Sequence, residues 1–85
     1  MAQTKHKLAQ QIQWIDPSGQ RMLLATSPGD ELHVTIEHGA VEIQGTNCLL
    51  TEFGMPSSVP DVKTHKEYIH ITIPLLSCRI DWESP

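Results

Sequence analysis

The chain is poor in aromatic residues, poor in cysteine and free of any cationic cluster. Only Trp14, Phe53, Tyr68 and Trp82 carry aromatic rings among 85 residues, so aliphatic side chains must fill whatever core forms. Lys5, Lys7, Arg21, Lys63, Lys66 and Arg79 are scattered, and the formal net charge is −4. A phosphate-binding surface needs concentrated positive charge to release counterions, so nucleic acid is disfavoured as a partner. No apolar run approaches the roughly 20 residues of a membrane helix. The first residues carry two lysines but no apolar stretch after them, which is not the pattern of a signal peptide. These absences point to a cytoplasmic chain. There Cys48 and Cys78 stay reduced, and they read as small buried apolar side chains.

Catalytic signatures are missing as well. No Gly-x-Ser-x-Gly surrounds Ser57 or Ser58, and there is no His-Glu-x-x-His or Cys-x-x-Cys. Gly19, Gly29, Gly39, Gly45 and Gly54 stand singly at turn positions, so no glycine-rich phosphate loop exists. The acids fall largely on turns and wet faces, which leaves no pair for general acid–base work. The expectation is a non-enzymatic protein with no cofactor and no assigned metal ligands.

What is present is alternation and turn chemistry. Asp16-Pro17-Ser18-Gly19 is a turn signal: proline presets φ, aspartate bonds back to the backbone, and glycine takes a positive φ. It predicts a hairpin between a strand at about 11–16 and Gln20–Thr26. A second turn follows at Ser27–Asp30. In Glu31–Glu37, Leu32, Val34 and Ile36 share one face while Glu31, His33, Thr35 and Glu37 share the other, which predicts a strand buried on one side. His38-Gly39 turns the chain into Ala40–Gln44, with Val41 and Ile43 buried. Gly45-Thr46-Asn47 reads as another turn before a strand at Cys48–Phe53, and Gly54–Thr64 reads as a loop. Upstream, Leu8, Ile12 and Ile15 have helical spacing, although Gln11–Trp14 alternates like a strand.

The last element carries Ile69, Ile71, Ile73 and Leu75 on one face. After Pro74 the apolar phase switches to Leu76, Cys78, Ile80 and Trp82. A phase switch beside a proline predicts a bulge, a bend or two shorter strands. Close-spaced short strands predict a mainly β fold, a single small antiparallel meander forming a barrel or sandwich. Residues 1–10 are expected to be an arm or a short helix, and residues 11–85 one β domain.

Two functional expectations follow. A domain this small buries a modest fraction of its surface and often gains stability from a partner. The surplus apolar surface of the C-terminal strand predicts self-association as a dimer, or contact with another protein, through Leu76, Ile80 and Trp82. The alternative is a small-ligand or metal site on the polar face. There His33, Thr35 and Glu37 would lie beside Tyr68, His70 and Thr72 if their strands are neighbours. A solvated outer face with cross-strand hydrogen bonds is the simpler reading of those residues.

Overall fold

The alternating apolar residues form strands in the computed structural model, which describes residues 5–27, 29–54 and 59–82; the side chains of Lys5, Asp81 and Trp82 fall outside the description. In chain order these are β1 (Lys5–Ile15), β2 (Arg21–Thr26), β3 (Leu32–Glu37), β4 (Ala40–Phe53), β5 (Pro60–Pro74) and β6 (Cys78–Trp82), with a 3₁₀ turn at Leu75–Ser77 before β6. All pairings are antiparallel. The fold is thus a small all-β meander.

The β1–β2 turn is built as its sequence predicts. Asp16 Oδ1 accepts hydrogen bonds from the Ser18 and Gln20 amides, both at 2.9 Å, and from the Ser18 hydroxyl at 2.6 Å. Gly19 takes φ 90°. His38 and Gly39, at φ 52° and 73°, link β3 to β4 in two left-handed residues, the geometry that matches strand twist.

β2 and β3 lie end to end. β1 pairs with β2 through Gln11–Ile15 and with β3 through Lys5–Ala9. β4 likewise pairs with β3 through Ala40–Gln44 and with β2 through Cys48–Glu52. The two short strands therefore act as one strand interrupted at residues 27–31. β5 lies outside β4. β6 lies on the edge of β1 opposite β2, because Gln11 pairs with both Ala25 and Asp81. The 3₁₀ turn thus carries the chain from one end of the meander to the other. The Leu75 amide donates to Gly39 O at 2.9 Å, anchoring this crossing to the β3–β4 turn.

One face of the sheet is the core. Ile12, Leu24, Leu32, Ile43, Val34, Val41 and Cys48 are fully buried, with Ala9, Ile69 and Ile73 beside them. Trp14, Ile36, Leu50, Ile71, Cys78 and Ile80 pack half-buried against this cluster. Each of the six fully buried Val, Leu and Ile side chains contributes roughly 1.5–3 kcal/mol.

A crease crosses the sheet. Buried positions step by three instead of two from Ala9 to Ile12 and from Gly45 to Cys48. Asn47, at φ 53°, makes the second step, and a register irregularity between Ala9 and Gln11 accompanies the first. The 27–31 interruption lies between them in register.

Three expectations are corrected here. The N-terminal segment forms no short helix over its described part, because Lys5–Ile15 is a single strand. Leu8 and Ile15 are exposed while Ile12 is buried, so the helical spacing is not one face; residues 1–4 lie outside the described residues. Gly45–Asn47 is not a turn but the kinked middle of β4. The loop expected at 54–64 ends earlier, since β5 begins at Pro60 and pairs with Phe53; residues 55–58 lie outside the described residues. Proline is tolerated as the first residue of an edge strand. The phase switch at Pro74 is resolved as two strands joined by the 3₁₀ turn.

Candidate functional site

The residues proposed for a polar site share a face, but not as neighbours. His33 sits on β3 and His70 on β5, with β4 between them. Gln44 pairs with both, so the register draws one row across four strands: Leu8, His33, Gln44, His70. The next row is His6, Thr35, Glu42, Thr72. Adjacent strands are about 4.8 Å apart, so His33 and His70 stand two spacings from each other.

Two polar contacts on this face cross between strands, and a third lies at the β3–β4 turn. His70 Nε2 lies 3.0 Å from Glu42 Oε2. His6 Nδ1 lies 3.0 Å from Thr35 Oγ1. Glu37 Oε1 lies 3.3 Å from His38 Nε2, both well exposed. Glu42, Gln44 and His6 complete the patch, and nothing in the pattern of their own strands marks them. Their signal lies in the strand register, which a single strand's pattern does not reveal. Among the described residues no group of three histidine, cysteine or carboxylate side chains can hold a metal ion.

Tyr68 joins His33 at a different place. A shallow cleft of about 330 Å³ lies beside the 27–31 interruption, lined by Asp30, Glu31, His33, Gln44, Thr46 and Tyr68. Glu31 Oε2 is shut off from solvent and receives no hydrogen bond from the described residues. Thr26 Oγ1 lies 3.1 Å from Asp30 O and 3.3 Å from Gln10 O, tying the interruption to β1. Thr35, Glu37, His70 and Thr72 lie outside this cleft, so the six candidates divide between two places.

The C-terminal candidates divide too. Leu76 is fully exposed on the 3₁₀ turn. Ile80 is half-buried and packs against the core. Trp82 occupies a β6 position paired with Ala9. A second cleft, of about 250 Å³, opens where the turn meets β1, between Trp14, Ile15, Arg21, Leu76, Cys78 and Arg79. The Arg21 guanidinium is held over the Phe53 ring, 4.3 Å from its centroid.

Neither thiol is an activated nucleophile. Both cysteines are free. Burial pushes the Cys48 thiol up, and the Asp30 carboxylate adds to the rise. Burial alone raises Cys78, whose S–H donates to Pro74 O at 3.3 Å. Reactive cysteines need the opposite shift. Among the described residues no helix is long and apolar enough to cross a membrane.

No protein-family model, curated protein or solved structure matches the chain.

Proposed function

We propose that the chain is a cytoplasmic, non-enzymatic interaction module that self-associates through its C-terminal strand. The observation that carries this reading is the fully exposed Leu76, held on the turn that feeds a strand paired on one edge only among the described residues. A large aliphatic side chain in water and an open strand edge are both satisfied by a second copy. The free thiols fit a reducing compartment.

Sedimentation velocity across the micromolar range tests it. The expected result is a dimer that Leu76→Asp weakens, with the circular dichroism spectrum unchanged. A wild-type protein that stays monomeric throughout would remove the proposal.

A second reading is a small polar ligand at the cleft beside the 27–31 interruption. It is favoured by the polar lining of that cleft, where Asp30, His33, Gln44, Thr46 and Tyr68 converge. A thermal-shift screen and metal analysis of purified protein test it, and no shift with no bound metal would exclude it.

A further inference from the structure

Two strands of the sheet are paired on one side only among the described residues, β5 and β6. They differ in how their edges are protected. β5 is bounded by Pro60 and Pro74 and carries Lys63 and Lys66, the residues that blunt an edge against further pairing. β6 reads Cys78-Arg79-Ile80-Asp81-Trp82. It has no proline and no lysine, and its apolar positions alternate with one positive and one negative residue.

That sequence is antisymmetric in charge about Ile80. Two copies of a strand that pair antiparallel are related by a two-fold axis perpendicular to the sheet. Such an axis keeps each face on its own side, so a residue can oppose only residues of its own parity. Centring the axis on Arg79 would set arginine against arginine, and centring it on Asp81 would set aspartate against aspartate. Like charges directly opposite are destabilising, and opposite charges there are favourable. Centring on Ile80 pairs all five residues.

We propose that β6 of two copies pairs about a two-fold axis at Ile80, placing Arg79 of each opposite Asp81 of the other. This rests on the self-association reading and supplies its register. It joins the two sheets into one continuous sheet. It also sets position 82 of the second copy beside Cys78, which pairs with Trp14 on β1 and lines the cleft that Leu76 borders.

Charge reversal in two halves tests the register. Arg79→Glu alone and Asp81→Arg alone each turn both cross-strand pairs repulsive, and each is expected to weaken the dimer by about ten-fold or more in sedimentation velocity. An equimolar mixture of the two variants restores both pairs in the mixed dimer, so native mass spectrometry should find a heterodimer and few homodimers. Circular dichroism confirms that each variant folds. If the single variants dimerise as strongly as wild type, or if the mixture stays monomeric, the register is wrong while self-association stands. If wild type itself is monomeric, both readings fall.

Discussion

Gly45 lies so close to Leu32 that a methyl group at its Cα would stand 2.7 Å from Leu32 Cδ2 and 2.9 Å from Cys48 Sγ. Both neighbours are fully buried. Gly45→Ala must therefore push a core leucine and a core cysteine aside at the crease. The expected cost is about 1–3 kcal/mol, a loss of several degrees in Tm for a domain of this size. Thermal unfolding of the variant checks it, and an unchanged Tm would show that the crease repacks freely.

Asp16 makes the first turn pH-dependent. The Ser18 hydroxyl and the Gln20 amide hold its carboxyl below the usual aspartate range, with the Ser18 and Gly19 amides assisting. A depressed folded value means that the contribution is complete above the unfolded value, about 3.9, and disappears as pH falls through the folded value. Urea unfolding of wild type and Asp16→Ala from pH 6 downwards should show the two stabilities converging in acid. Parallel curves over that range would mean that the carboxylate is not held.

Arg21 and Phe53 close the same end of the sheet by a cation over a ring, an interaction of about 0.5–1 kcal/mol at an exposed site. A double-mutant cycle with Arg21→Ala and Phe53→Leu should return a coupling of that order. A coupling of zero would leave the contact without energetic weight.

The two thiols predict an alkaline limit. Both are raised in the folded chain, chiefly by burial, so their contribution is intact below the unfolded value near 8.5 and is lost as pH climbs through the folded values. Stability should fall above about pH 9, and Cys48→Ala with Cys78→Ala should flatten that fall. In native protein, Cys78 should react with a thiol reagent before Cys48, which is fully buried. Equal and fast reaction of both would contradict the buried placement.

The parts legible in the sequence are those whose chemistry is local. The Asp16–Gly19 turn, the one-sided alternation of Leu32–Glu37 and the phase switch at Pro74 each follow from a few adjacent residues. The parts that misled are those where strands answer to neighbours. Leu8, Ile12 and Ile15 have helical spacing, yet of the three only Ile12 is buried, and its buried companion across the crease is Ala9. Gly45-Thr46-Asn47 reads as a turn from its residue types, and Asn47 is indeed left-handed, yet β4 runs through it with its β5 register unbroken. Pro60–Thr64 shows no alternation because it is an edge exposed or half-exposed on both faces. In the polar face, His33 and His70 stand out from the alternation of their own strands, while Glu42 and Gln44 on the strand between become visible only when the pairing is known.

The position of β6 has a consequence for how the molecule comes into being. β1 finds β2 through a short turn, but its other edge waits for Cys78–Trp82, supplied from the far end of the chain. Contacts this distant in sequence form slowly. While the polypeptide is being synthesised, Ala9–Trp14 is therefore a bare template that any passing strand can occupy. The strand that makes this edge safe is therefore made well after the strand it protects.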